Sequence, residues 1–342
     1  MHDEKSLTHR ARSSHPVPTA QTRQTRQAVF RGKFKALLIG LAFTMPAFVI
    51  LAVFHIWATI FNVWMSFTDW SLGGAHFIGF SNYRSLLPSH DFSNALLVTA
   101  YFVLGSVPLT IVLALPIAYA LYFFLSRTKL YQLILFMPYV IPTVASSMVW
   151  GLMFSSSPGG LANWLFSLLG LPTQRWLTDP EGLFQLIMGP FGAHLPAGAQ
   201  GPSVAMLILI AVRIWGMLGF TVVILLAGLT TINPEIVQAA RIDGAGEMQI
   251  LRRVIVPMLS PTILFVAVIS FIFAVREFNT IYVLTGGGPV DTTDTLTMLM
   301  FRQFYQNNQL GLGATTATMI ALVIMVLTVV QFRLGKKWVN YE

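Results

Sequence analysis

The sequence has 342 residues, of which 55% are hydrophobic and 10% are charged. Because a soluble domain carries about 25% charged residues, this composition excludes an ordinary soluble protein and indicates a protein embedded in a lipid bilayer. The sequence contains no cysteine, which excludes disulfides, thiolate metal sites and cysteine nucleophiles. The net charge is +8, and the positively charged residues cluster next to apolar segments. This arrangement is typical of membrane topology and not of nucleic-acid binding.

Residues 1–35 are polar and basic, rich in Ser, Thr, Gln and Arg. This composition predicts a disordered tail, which is too long and too unpatterned to begin a signal peptide. The apolar segment that follows, 36–61, exceeds the apolar region of a signal peptide, so we expect an uncleaved span. The chain is therefore predicted to consist of this tail and a six-span domain, 36–342.

Spanning a bilayer takes about 20 apolar residues. Six segments meet that length: 36–61, 95–125, 130–154, 204–229, 262–284 and 314–332. Each must be helical, because only helices or closed barrels satisfy the backbone inside lipid and strand-like alternation is absent. Prolines predict kinks at positions 46, 108, 116, 138 and 142. The predicted fold class is therefore all-α, a polytopic membrane protein with six spans. The longest segment between spans, 155–203, is predicted to be exterior and to contain a short helix over 161–171.

Basic residues predict the orientation of the spans. With the N-terminus inside, the cytoplasmic segments hold 16 of the 21 Lys and Arg residues, and the exterior segments hold three. The positive-inside rule therefore places both termini and the loop between spans four and five in the cytoplasm.

That loop, 233–257, is predicted to form a helix, a turn and a second helix. Asn233 is a good N-cap, Pro234 suits the first helical position, and Glu235 complements the helix dipole. Gly244 allows the turn, and Asp243 is expected to cap the second helix. The second helix, about 245–253, should end before Pro257, because the residue ahead of a proline disfavours helical angles.

The same loop resembles the "EAA" loop of membrane subunits in binding-protein-dependent ABC importers. The spacing of that pattern matches at Gln238, Ala239, Ala240, Gly244, Val254, Val256 and Pro257. Gln238 stands where the family has Glu, Val254 where it has Ile, and Val256 where it has Leu. The segments 215–229 and 278–289 are similar to maltose- and glycerol-phosphate-type subunits, so the resemblance covers about 36–342.

The resemblance implies an ABC sugar importer in which this loop docks on a cytoplasmic ATPase. The coupling residues would be Glu235, Gln238, Ala239, Ala240, Asp243, Gly244 and Pro257. The sequence lacks a Gly-x-x-x-x-Gly-Lys-Ser/Thr loop, so ATP and Mg would be bound by partner subunits. The implied partners are a second homologous permease, two ATPase subunits and an external solute-binding protein, in the inner membrane of a bacterium or archaeon.

Charges inside spans cost at least about 2.5–3.5 kcal/mol on insertion scales, so Arg213, Arg276 and Glu277 need a reason. One hypothesis is an Arg213–Glu277 ion pair between spans four and five; a compatible one is that these residues line the pathway. Aromatic faces and amides bind sugars, which adds Trp215, Asn279 and Tyr282 as candidates.

Several alternatives remain at this point. The substrate is a sugar or, alternatively, glycerol phosphate or another polyol. A rival of another class is an ion-coupled secondary carrier, and a second rival is a membrane anchor that docks an enzyme without transport. No carboxylate pair, His cluster or nucleophile–base spacing indicates catalysis or a metal site in this chain.

Overall fold

The structure, a computed structural model, describes residues 39–71, 73–124, 128–188, 194–195 and 200–338. The predicted tail, 1–35, lies outside the described residues. The chain divides into two units, Met1–Phe61 and Asn62–Glu342. Within the described residues the regular structure is helical, apart from three isolated β-bridges. The all-α prediction is confirmed.

Among the residues that the structure describes, four helices are long and apolar enough to cross a membrane: Ile39–Met65, His90–Phe123, Val204–Leu229 and Leu310–Lys336. They are the first, second, fourth and sixth spans. Two of them have a serine N-cap. The Ser89 side chain accepts the backbone N–H of Phe92, and the Ser203 side chain accepts that of Met206. The second span continues as one helix through Pro108 and Pro116. The sixth-span helix extends from Leu310 to Trp338.

The third span is broken. Its two helices, Thr128–Val140 and Thr143–Met153, are bent by 90° at the break. Pro142 takes the extended N-cap position of the second helix, and a residue ahead of proline disfavours the helical conformation, which fits the break at Ile141. Pro138 lies inside the first helix without ending it.

The fifth span is also broken, so the prediction of one helix over 262–284 is wrong. The helix Ser260–Val275 ends at Arg276, and a short helix, Asn279–Leu284, follows. Arg276 and Glu277 therefore lie at the joint and not within a span helix. At this joint the Glu277 carboxylate accepts the backbone N–H of Thr280, which satisfies an otherwise free donor of the short helix.

The segments between spans carry further short helices. They are Ser81–Leu86, Leu161–Leu168, Leu183–Met188 and Leu296–Phe301, the last continued by a π-helical turn, Arg302–Gln306. The helix Leu161–Leu168 confirms the short helix expected in the longest exterior segment.

Two apolar clusters hold the second unit together. One joins spans two, four and five to the segment 281–299, with Phe102, Met206 and Leu209 among its fully buried members. The other joins the ends of spans two and four to the loop that follows span four, and contains Leu225 and Leu229. Val237, Ile250 and Ile255 of the loop belong to this second cluster, so packing of apolar side chains fixes the loop to the span ends.

Candidate functional site

The loop between spans four and five is the first candidate site, and its first helix is Pro234–Ile242. The side chain of Asn233 accepts the backbone N–H of Glu235 at 3.0 Å, and Pro234 occupies the first turn. Both features match the sequence prediction, because they depend only on neighbouring residues.

The turn after this helix is a Schellman motif. The N–H of Ala245 bonds to the carbonyl of Ala240 and that of Gly244 to the carbonyl of Arg241, both at 3.0 Å. Gly244 has φ +81°, the left-handed conformation that this motif requires. The prediction that Gly244 makes the turn is confirmed.

The second loop helix, Glu247–Met258, differs from the sequence prediction in two respects. It continues through Pro257, because the preceding segment Leu251–Ile255 is π-helical and the wider turn leaves room for the proline ring. Its N-cap is Gly246, without a side-chain hydrogen bond, so Asp243 does not cap it. Asp243 instead ends the first loop helix as its C-cap.

The loop has a buried side and an exposed side. Val237, Ile250 and Ile255 are at most 1% exposed and pack into the cluster at the span ends. The predicted coupling residues Glu235, Gln238, Ala239, Asp243 and Gly244 are all exposed, Ala240 is half-buried, and Pro257 is half-buried in the second loop helix. Apolar side chains also lie on the exposed side: Ile242 is 86% exposed, Met248 is 59% exposed and Ile236 is 41% exposed. This exposed side is open to a partner.

A polar cluster that the sequence did not predict joins the loop to the second span. The Tyr119 hydroxyl donates to Glu247 Oε2 at 2.5 Å, and Arg241 Nε donates to Glu247 Oε1 at 3.1 Å. Glu247 lies in the loop, and its hydrogen bonds with Tyr119 and then Arg241 hold its pKa below the ordinary value. The six-residue spacing of Arg241 and Glu247 across a turn was a readable signal, whereas nothing local pointed to Tyr119.

A pocket between three spans is the second candidate site. Its cavity volume is about 170 Å³, and it opens where the third span breaks and where the fifth span ends. Polar groups face it from all three spans: Tyr139, Thr143, Ser146, Arg213, Glu277 and Thr280. Trp215 and Gly216 add an aromatic side chain and a bare backbone. Thr143, Ser146 and Thr280 were not predicted, because the breaks that bring them together are not evident from composition.

Arg213 and Glu277 form the ion pair that the sequence suggested. Arg213 Nη1 lies 2.8 Å from Glu277 Oε2, and the two side chains are 12% and 9% exposed. The other carboxylate oxygen accepts both the N–H and the hydroxyl of Thr280. The pair therefore ties span four to the joint of span five while forming part of the pocket wall.

The other predicted pathway residues divide into two groups. Trp215 lines the pocket and makes an edge contact with Trp150, with ring centroids 5.4 Å apart. Asn279 lies beside the pocket, with its Nδ2 3.5 Å from Thr143 Oγ1. Arg276 is exposed at the joint, and Tyr282 is 46% exposed and stacks on Phe278. Arg276 and Tyr282 are not among the pocket-lining residues.

The fold and these two sites define an α-helical multi-pass membrane protein with interrupted spans and a packed helix–turn–helix loop. Residues 106–339 match the family of binding-protein-dependent transport system inner membrane components. The chain belongs to that family.

Individual relatives agree with this assignment. A probable ABC transporter permease protein of Pyrococcus horikoshii is 30% identical, over 83% of this chain and 91% of its own. The trehalose/maltose transport system permease protein of Thermococcus litoralis is 28% identical, over 89% of this chain and 96% of its own. The sn-glycerol-3-phosphate transport system permease protein of Pectobacterium atrosepticum is 26% identical, over 91% and 99%.

The fold has a solved counterpart in a bacterial ABC transporter involved in the import of the acidic polysaccharide alginate. The match has a TM-score of 0.73 at 23% identity and covers 91% of this chain and 99% of that one. At that identity the likeness bears on the fold alone.

Proposed function

We propose that this chain is the permease subunit of an ATP-driven importer that moves a sugar or oligosaccharide into the cell. It works with a second homologous permease, two cytoplasmic ATPase subunits that bind ATP and Mg, and an external solute-binding protein. The chain itself contributes the pathway and the coupling loop and catalyses no reaction. The observation that carries the proposal is the helix–turn–helix loop, packed on one side and open on the other.

The exposed side of the loop supports docking on an ATPase. Its helices are short, and helices of such length are marginal in water unless they are packed. Here packing of Val237, Ile250 and Ile255 into the span ends keeps the loop in one shape. A rigid loop can pass a displacement to the spans, and the exposed Ile242 and Met248 offer apolar anchors for a partner groove.

The pocket supports a polyhydroxylated substrate. Hydroxyl, amide and aromatic groups lie together at Thr143, Ser146, Trp215 and Asn279, and the one ion pair there is internally neutralised. A neutral sugar can exchange hydrogen bonds with such groups without a charged partner of its own. Relatives named for trehalose/maltose and for sn-glycerol-3-phosphate favour the same range of substrates.

The test is uptake by the full complex in proteoliposomes. The wild-type chain is reconstituted with its permease partner, its ATPase and its binding protein, and labelled trehalose, maltose or glycerol 3-phosphate is supplied outside. We expect uptake only with ATP inside. Uptake driven by an ion gradient without the ATPase would favour a secondary carrier, and ATPase binding without any flux would favour an anchor.

Loop variants show whether coupling runs through this loop. Gly244→Val forces a β-branched residue into φ +81°, and Ala239→Asp places a charge on the exposed side. Both should abolish uptake and substrate-stimulated ATP hydrolysis while membrane insertion persists. Gly246→Ala is the matched control, since Gly246 has φ −72° and open space around it. Normal uptake in Gly244→Val and Ala239→Asp would refute the docking role.

Glycerol phosphate is the second candidate substrate. It is favoured by Arg213, whose Nη2 has no hydrogen-bond partner among the described residues. A phosphate that entered the pocket would have to compete with Glu277 for this guanidinium. Saturable uptake of glycerol 3-phosphate without uptake of either disaccharide would decide for it.

A further inference from the structure

The polar cluster between the loop and the second span adds a directional hydrogen bond to the apolar packing between them. Tyr119 lies near the end of the second span and is 4% exposed, yet its hydroxyl reaches the Glu247 carboxylate at 2.5 Å. Its ring is held by Phe123, with centroids 4.8 Å apart, and by Phe124 at 5.8 Å. A buried hydroxyl needs a partner, so this ring and this carboxylate are fixed relative to each other.

Glu247 connects both loop helices to the same span end. It lies at the start of the second loop helix, and Arg241, in the last turn of the first, reaches it through Nε at 3.1 Å and Nη2 at 3.3 Å. The Arg241 guanidinium also lies over the Phe123 ring, 5.7 Å from its centroid. The two helices and the second span therefore meet at one carboxylate.

Directional and non-directional contacts have different mechanical effects. The apolar contacts of Val237, Ile250 and Ile255 hold the loop against the spans but tolerate sliding, because hydrophobic burial is non-directional. A charge-assisted hydrogen bond is short and depends on angle, so it fixes the register between the surfaces. Movement of the loop along the span ends therefore displaces Tyr119.

The second span extends from this contact to the neighbourhood of the Arg213–Glu277 ion pair. Ser106 and Thr110 of the second span lie beside Arg213, around a small cavity that Ser270 of the fifth span also lines. Thr110 precedes Tyr119 by nine residues, or roughly 14 Å of helix. The helix is continuous over this distance. A displacement at Tyr119 thus reaches the neighbourhood of the pocket along one continuous helix, which runs through Pro116 without a break.

We propose that Tyr119 is a positioning residue that, through its hydrogen bond to Glu247, transmits movement of the loop to the second span. The proposal rests on the proposed function, since it assumes that an ATPase moves the loop. Tyr119 is only 4% exposed, so in this proposal it acts through Glu247 and not by a partner contact of its own. Its hydroxyl keeps ATP hydrolysis in step with movement of the span.

The experiment measures ATP hydrolysed per substrate molecule taken up by the complex in proteoliposomes. Tyr119→Phe removes the hydroxyl and keeps the ring, and Glu247→Ala removes the acceptor from a half-exposed position. We expect each variant to assemble and to raise this ratio by roughly twofold to thirtyfold, the range that changes within a coupling network produce. The double variant should match Glu247→Ala, because that change already removes the Tyr119 contact together with the two hydrogen bonds from Arg241.

Tyr122→Phe is the matched control. It removes an equal hydroxyl three residues away, and among the described residues no hydrogen bond joins the Tyr122 hydroxyl to the loop. Its ratio should equal that of the wild type. A merely structural role for Tyr119 would lower the amount of complex and its melting temperature but leave the ratio of the surviving complex unchanged.

The outcomes separate this proposal from the proposed function. Wild-type proteoliposomes without ATP-dependent uptake would refute the proposed function itself. A coupled wild type with unchanged ratios in Tyr119→Phe and Glu247→Ala, or with additive effects in the double variant, would overturn the role of Tyr119. If Tyr119→Phe does not assemble, the ratio of Glu247→Ala decides.

Discussion

The Arg213–Glu277 pair allows a sharp prediction about stability, which the variant Glu277→Gln tests. The change keeps the size of the side chain and its Oε1, which can still accept the Thr280 N–H. It replaces the oxygen that lies 2.8 Å from Arg213 by an amide donor. The guanidinium, 12% exposed, is then left without a counter-charge.

The magnitude follows from the burial of the pair. With side chains 12% and 9% exposed, the two groups are shielded from water and from salt. Removing one partner of a buried pair costs about 3–5 kcal/mol, mostly because the remaining charge is left uncompensated. Glu277→Ala should cost about 1–2 kcal/mol more, since the two hydrogen bonds to Thr280 are lost as well.

The assay is equilibrium unfolding of the purified chain in detergent, compared with a rescue variant. Arg213→Met combined with Glu277→Gln removes the orphaned charge, so it should recover most of the stability lost in Glu277→Gln alone. Unfolding of Glu277→Gln at the wild-type denaturant concentration, or a double variant less stable than the single one, would show that the ion pair does not contribute this stability.

Two further predictions test helix packing and orientation. In Gly219→Ala the new Cβ would lie 1.9 Å from the Leu135 carbonyl oxygen, so overpacking of about 1–3 kcal/mol should lower thermal stability. Gly216→Ala is the control: with open space at its Cβ, it should leave stability equal or raise it by up to about 1 kcal/mol. Equal melting temperatures for the two variants would contradict the close contact at Gly219. Because the sequence lacks cysteine, single cysteine substitutions can report the orientation of the chain in the membrane. A membrane-impermeant thiol reagent added outside whole cells should label Val290→Cys and not Ile242→Cys, both of which are at exposed positions. The opposite labelling pattern would mean that the proposed orientation is inverted.

The loop shows why some features were predictable. Asn233, Pro234 and Gly244 act through backbone groups within a few residues, so their roles can be inferred from sequence spacing. The end of the second loop helix was predicted incorrectly, because the π-helical turn before Pro257 relieves the clash that normally stops a helix.

The charged residues of the spans show an intermediate case. The cost of charge in lipid was enough to suggest that Arg213 needs Glu277, and the pair is present. The apolar length of 262–284, by contrast, predicted a continuous helix that contains Arg276 and Glu277, whereas the chain breaks there. Hydropathy averages over a window, so it cannot resolve a joint of three residues.

The α-helical fold class, the membrane location and the position of the helix–turn–helix loop could all be predicted from the sequence alone. These properties follow from composition, periodicity and capping, which act locally or on the whole chain at once. The contact of Tyr119 with Glu247 and the pocket that two broken spans open beside Arg213 are evident only once the chain is folded. Such contacts join residues more than a hundred positions apart, and they depend on which helix faces pack together.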